Sequence, residues 1–210
     1  MMFKDRYDAA EKLLSNLQNY KSDPNAIILA IPRGALELGY VLAKGLNIPL
    51  DIILSKKIGF PLNPEYAIGA VTDQQVVLNS NFKDNPHFHD YIADQIVSIR
   101  KTLKDRNEKY RKGMAPLDLY NKTVIVVDDG VATGNTMLLT LSLIKGYKPK
   151  KIVVALPVSS KEALEKIEYN ADEVVCLMTP ENFQSVGQFY NNFTQVEDDE
   201  AIRLLREANS

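Results

Sequence analysis

Five short runs of this chain are apolar at nearly every position: Ala26 to Ile31, Leu50 to Leu54, Val124 to Val127, Ile152 to Leu156 and Glu173 to Leu177. A strand with one face in water alternates apolar and polar residues, so runs that lack this alternation bury both faces. Asp51 is the one polar residue inside these runs apart from the leading Glu173. Segments with helical spacing separate the runs: Leu36 to Leu46, Thr136 to Ile144, and a stretch ending near Tyr169. Strands alternating with helices become parallel neighbours, and strands buried on both sides need helices on both sides. The pattern predicts an α/β fold, a doubly wound and mostly parallel sheet covered on both faces.

The remaining segments fit around that frame. Residues 4 to about 20 carry Ala10, Leu13, Leu14 and Leu17 at helical spacing before Ser22-Asp-Pro24 interrupts. Lys56 to Tyr66 contains Gly59, Pro61, Asn63 and Pro64 and is expected to be a long loop. Ala67 to Val71 and Gln75 to Leu78 read as strand pieces around a turn at Thr72-Asp73. Ile92, Ile96, Ile99, Leu103 and Tyr110 form one stripe of a covering helix from about Asp90 to Lys112. Ser159 and Glu162 have capping-box spacing. After Thr179 the aromatics Phe183, Phe189, Tyr190 and Phe193 are expected to pin the segment to the body, with stacking on a planar base as the alternative. Asp198-Asp-Glu200 suits the start of a terminal helix from Glu197 to Glu207. The expected organisation is one domain over residues 1–210, with a core at about 24–178 and an accessory C-terminal segment at about 179–210.

Charge and composition narrow the function classes. With 25 Lys plus Arg against 27 Asp plus Glu, the net charge of -2 gives no global field for a nucleic acid. The polar Met1–Asp8 start is no secretory h-region, and no apolar run nears the roughly 18–20 residues of a membrane span. A cytoplasmic protein without nucleic-acid or membrane partners is therefore expected. The single cysteine, Cys176, lies in an apolar stretch and reads as a small buried hydrophobe. His87 and His89 stand two apart, but without further ligands nearby they read as a loop entering a helix.

Chemistry concentrates in Val124-Ile-Val-Val-Asp-Asp-Gly-Val-Ala-Thr-Gly-Asn-Thr136. A buried strand ends in two carboxylates and runs through small residues into a helix, whose unpaired N–H groups and dipole favour a phosphate. Asp128 and Asp129 would repel that phosphate, so they call for hydroxyls or a metal beside it. For Asp-Asp-Gly alone, a plain turn with Thr133 or Thr136 as helix N-cap is the simpler reading. The whole string resembles the thirteen-residue signature with which type I phosphoribosyltransferases bind 5-phosphoribosyl-1-pyrophosphate (PRPP), and every position matches. The resemblance implies that Asp128 and Asp129 hold the ribose hydroxyls, that Ala132, Thr133, Gly134, Asn135 and Thr136 wrap the 5-phosphate, and that magnesium arrives with PRPP.

Two further pieces align with this family. Ile31-Pro-Arg-Gly-Ala35 follows the first strand, and a doubly wound sheet can place it across a crevice from the signature. The resemblance assigns Arg33 and Gly34 to the pyrophosphate. Relatives usually read Pro-Arg-Gly-Gly there, and Ala35 disfavours an unusual backbone angle at residue 35. Lys56 and Lys57, in the family's catalytic-loop position, are expected at the pyrophosphate too, although strand alternation sends neighbouring side chains to opposite faces. Similarity continues through Asp5-Arg6, Ala67-Ile-Gly-Ala70, Pro116-Leu-Asp-Leu119 and Phe193-Thr-Gln-Val196, and looks like the bacterial phosphoribosyltransferase-domain proteins for which an acceptor is generally not assigned.

The function so implied is transfer of phosphoribosyl from magnesium-bound PRPP to a nitrogenous acceptor in nucleotide metabolism, with a homodimer as the usual assembly. Enzymes of the hypoxanthine-guanine kind place an Asp before Thr-Gly, and Ala132 here excludes base catalysis from that position. The rival reading is a PRPP sensor that transfers nothing.

Overall fold

The computed structural model describes residues 2–210, and of Glu65 the backbone only. In chain order the first elements are α1 (Arg6–Asn16), β1 (Ala26–Ala30), α2 (Ala35–Leu46), β2 (Leu50–Ile52), β3 (Lys56–Phe60), β4 (Asn63–Val71) and β5 (Val76–Leu78). A short α3 (Ser80–Lys83) and the long α4 (His89–Arg111) follow. The chain continues through β6 (Thr123–Val127), α5 (Asn135–Lys145), β7 (Lys151–Val158), α6 (Lys161–Glu168), β8 (Glu173–Met178) and α7 (Asp198–Ala208).

The five apolar runs form one parallel sheet in the order β2-β1-β6-β7-β8. Alternate side chains of each strand point to opposite faces, and both sets are buried. Ile28, Ala30, Ile125, Val127, Val153 and Ala155 join Leu13 of α1, Leu42 of α2 and Leu205 of α7 on one side. Ile27, Leu29, Val124, Val126, Ile152 and Val154 join Met137 and Leu141 of α5 and Ile167 of α6 on the other. The doubly wound α/β architecture is therefore as the run pattern predicts. The C-terminal segment also enters the core, through Phe189, Tyr190, Val196, Ala201, Ile202 and Leu204.

Lys56 to Tyr66 is not a loop. β3 and β4 form an antiparallel hairpin that extends to a three-stranded sheet with β5. The turn-forming residues occupy positions where a strand tolerates them. Pro61 and Leu62 make the turn, and the register shifts on both sides of Gly59. A Cβ at Gly59 would meet the Pro64 backbone oxygen at 2.5 Å. Pro64 lies beyond the stretch of β4 that pairs with β5, so its missing N–H costs no ladder bond there.

One capping expectation changes, and the N-cap of the plain-turn alternative is absent. The N-cap of α6 is Ser160, whose hydroxyl accepts from the Ala163 N–H, while the buried Ser159 hydroxyl donates to the Ser160 carbonyl. Glu162 pairs with Lys166 one turn on. At α5 the N-cap is Gly134 and not Thr133 or Thr136. His89 opens α4, and His87 precedes it, exposed, in a 3-10 turn. Cys176 is half-buried and packs against the α5/α6 side of the sheet. No helix among the described residues is long and apolar enough to cross a membrane.

Candidate functional site

β1 and β6 are neighbours, with Ala30 paired to Val127, and the Ile31 N–H donates to the Val127 carbonyl. From β1 the chain passes through α2 to β2 on one side, whereas from β6 it passes through α5 to β7 on the other. Connections that part in this way leave a crevice at the carboxyl ends of the two strands. A cavity of about 440 Å³ occupies it, lined by residues 31–34, 128–137 and Val186. The structure thus brings Arg33, Gly34, both acids and the Ala132–Thr136 loop to one opening.

Gly134 is in the left-handed region (φ 80°), which glycine adopts without the penalty a Cβ brings. It turns the chain into α5 without a side-chain cap, so the first N–H groups of an eleven-residue helix have no capping oxygen from that residue. Ala132, Thr133, Asn135 and Thr136 are exposed around this helix start. The dipole and free donors make the loop suited to a phosphate.

The two acids are not equivalent. Asp129 Oδ2 accepts from Arg6 Nε at 2.8 Å, and the ion pair is largely buried. The Asp129 carbonyl accepts from the Tyr190 hydroxyl at 2.6 Å. Asp128 has a single partner among the described residues, the Asp129 N–H at 2.9 Å on Oδ1. Burial, then the neighbouring Asp129 charge, push the Asp128 carboxyl well above the usual carboxylate range. Burial also raises Asp129, against the opposing pull of Arg6. Asp128 is therefore a half-buried acid at the cavity wall without a counter-ion of its own, which suits it to a cation or to hydroxyl donors.

The Pro32–Arg33 peptide is cis. Gly34 lies so close to the ion pair that a Cβ there would stand 2.2 Å from Asp129 Oδ2. Ala35 is the first residue of α2 and fully buried, so its Cβ meets an ordinary helical geometry. The Arg33 side chain turns toward the start of α7, with Nη1 3.5 Å from Asp198 and 3.8 Å from Glu197. Asp198 also accepts from Lys109 and Tyr110, and these bonds hold its carboxyl down to about 2.

Lys56 and Lys57 are exposed on β3 and line an adjoining cavity of about 720 Å³ with Tyr66, Ala67, Leu138 and Leu139. Thr133, Asn135 and Thr136 are common to both cavities, so the two adjoin at the α5 start, with Arg33 lining one and the lysines the other. Both reach this space, in spite of the alternation along β3.

Arg6, Tyr190 and Val186 are the residues that motif reading does not place in the site. Beyond the family resemblance of Asp5-Arg6, Arg6 left a physical trace: it lies four residues before Ala10 and seven before Leu13, on the apolar stripe of α1, where a charge requires a buried partner. The C-terminal aromatics pack on the body as expected: Phe189 and Tyr190 enter the core, Tyr190 against Phe3, and Phe193 lies under the Arg6 guanidinium.

The family model of the phosphoribosyl transferase domain matches residues 2–194. A Mycobacterium tuberculosis H37Rv protein named provisionally as a phosphoribosyl transferase is 35% identical over 210 residues, covering 99% of this chain and 47% of the relative. The chain thus spans about half the length of the curated relatives it matches. The crystal structure of TT1426 from Thermus thermophilus is 34% identical, covers 99% of both chains and superposes with a TM-score of 0.88. A hypothetical Neisseria gonorrhoeae protein crystallised with ppGpp, 16% identical over 99% of this chain and 98% of its own with a TM-score of 0.51, shares the fold. By the length of the domain match and the identity to these relatives, the chain belongs to the phosphoribosyl transferase domain family.

Proposed function

We propose that the chain binds the magnesium complex of PRPP in the 440 Å³ cavity and transfers its phosphoribosyl group to a nitrogenous acceptor, a nucleobase or related heterocycle, with release of pyrophosphate. The observation that carries this reading is the opening of an uncapped helix start and a carboxylate pair into one crevice. The N–H groups and hydroxyls of Ala132–Thr136 take the 5-phosphate, Asp128 and Asp129 face the ribose hydroxyls, and the Arg33–Gly34 backbone faces the pyrophosphate.

Magnesium fits this arrangement as a shared ion. No three His, Cys, Asp or Glu side chains among the described residues gather to hold a metal. Magnesium commonly takes one or two carboxylates and fills its shell with substrate oxygens and water. Asp128 would supply the former with Asp129 nearby, and the bound ion would offset pyrophosphate charge. In the reaction the acceptor nitrogen forms a bond to ribose C1 while the C1–O bond breaks, its electron pair leaving with pyrophosphate. The chain's own contribution is alignment of the reactants and fixed charge around the leaving group.

The sensor reading keeps one observation in its favour: Arg33 is engaged by Asp198 and Glu197, and Lys56 and Lys57 line the neighbouring cavity, so the cations expected at the pyrophosphate are not gathered around the acids, where Arg6 is already paired to Asp129. Incubation with magnesium, PRPP and a panel of nucleobases, followed by measurement of pyrophosphate, decides between them. Acceptor-dependent release is expected. Tight PRPP binding with no release from any base would favour the sensor, and no PRPP binding would end both readings.

A further inference from the structure

The Arg6 side chain is only 7% exposed, yet it emerges from the first turn of α1, far in sequence from everything it touches. Its Nε donates to Asp129 Oδ2 at 2.8 Å and its Nη1 donates to the Thr194 carbonyl at 2.8 Å. Glu37 Oε2 of α2 lies 3.4 Å from the same Nη1, and the guanidinium carbon stands 4.0 Å from the Phe193 ring centre. Four segments therefore meet on one planar group: α1, α2, the turn after β6 and residues 193–194.

A guanidinium presents several donors at fixed angles, which allows one side chain to hold a carboxylate and a carbonyl at once. Lysine, a single point charge on a flexible stem, cannot reproduce that fork. The glycine at 34 leaves room for this ion pair, since a Cβ there would intrude on Asp129 Oδ2 at 2.2 Å and on Arg6 Nε at 2.9 Å. Asp129 is thus held by the Arg6 fork beside the Gly34 turn, with its backbone carbonyl tied to Tyr190. Asp128 is held only by the adjacent backbone N–H.

We infer that Arg6 is a positioning residue of this site: it clamps the Asp129 carboxylate against the Gly34 turn, so that Asp128 is the acid left to engage the ligand. The inference rests on the PRPP reading for the identity of that ligand. It divides the paired acids into an anchored member and a ligand-facing one, and it makes the N-terminal helix part of the binding apparatus. Since Arg6 acts through Asp129, removing either should have the same effect on binding, and removing both should add little.

The test is a double-mutant cycle on the dissociation constant of magnesium-PRPP, with Arg6→Met, Asp129→Asn and the double variant, plus Arg6→Lys. Arg6→Met and Asp129→Asn should each weaken binding at least tenfold, the double variant should be no weaker than the weaker single one, and Arg6→Lys should fall between wild type and Arg6→Met. Circular dichroism identifies any variant that fails to fold, and Arg6→Lys keeps the buried charge balanced if Arg6→Met does not fold. Wild-type affinity in Arg6→Met, or additive losses in the cycle, would overturn the inference while leaving the PRPP reading standing. If wild type itself binds no PRPP, that reading falls, and the clamp is decided by the amide NMR resonances of Gly34 and Asp129. Displacement in Arg6→Met with partial return in Arg6→Lys supports it, and unchanged resonances refute it.

Discussion

Asp128 carries a tension between folding and binding. Burial and the adjacent Asp129 charge raise its carboxyl above the ordinary value. Its folded-state pKa thus exceeds the unfolded value of about 3.9, so its contribution to stability is fully present below that pH and is lost as pH rises through the folded value. Asp128→Asn keeps an oxygen to accept the Asp129 N–H and removes the ionisation. The variant should melt higher than wild type at pH 8, with the difference shrinking toward pH 4, and should lose PRPP binding at both. A melting difference independent of pH would show that this carboxylate is not ionised against a cost. The motif names Asp128 and Asp129 alike from the sequence, but it cannot separate their roles, because the separating contact joins residues 123 positions apart. The same distance hides Arg6, whose second contact is 188 positions away.

Among the elements, α5 depends most visibly on one backbone angle. Gly134 holds φ 80°, and a Cβ added there would also stand 3.3 Å from the Ala163 Cβ of α6. Gly134→Ala forces a side chain into the left-handed region, a cost of about 1–3 kcal/mol for such strained backbone. Urea denaturation should show a loss of that order, and the helix start should tilt, weakening PRPP and inorganic phosphate together. Weakened PRPP with unchanged phosphate would place the phosphate elsewhere. The parallel strands are legible in sequence because both faces are buried, so composition alone marks them. The β3–β4 hairpin is not, because its prolines and glycine sit at a turn and a bulge and disguise a strand pair as a loop. Ser159 and Ser160 differ in role for a similar reason: either has a hydroxyl near the helix start, and only tertiary placement leaves Ser160 free to cap.

Across the whole molecule, a buried ion pair ties the outer layers to the sheet edge. Arg111, at the end of α4, donates through Nη2 to Asp51 of β2 at 2.9 Å and to the Ile52 carbonyl at 3.0 Å, while the Leu117 N–H donates to the other Asp51 oxygen at 2.8 Å. Asp51→Ala would leave a buried guanidinium without its counter-ion and the Leu117 N–H without its acceptor. Breaking a buried pair from one side costs about 3–5 kcal/mol, and a urea midpoint shift of that size at unchanged slope is expected. A slope change would instead mean that the native state itself has loosened. The interruption at Asp51 in an otherwise apolar run is the sequence trace of this clamp.

Early and late segments of the domain meet at the ligand crevice. Phe3 bridges to Tyr190, its N–H donates to the Phe189 carbonyl, and Arg6 reaches Thr194. During translation the acidic turn after β6 is made about sixty residues before Tyr190 and Thr194 exist to brace it. A ribosome-bound fragment ending at β8 therefore has every signature residue but lacks Val186 of the crevice wall and the Tyr190 and Thr194 braces, and on the proposed reading PRPP binding is expected only once the chain extends past residue 194.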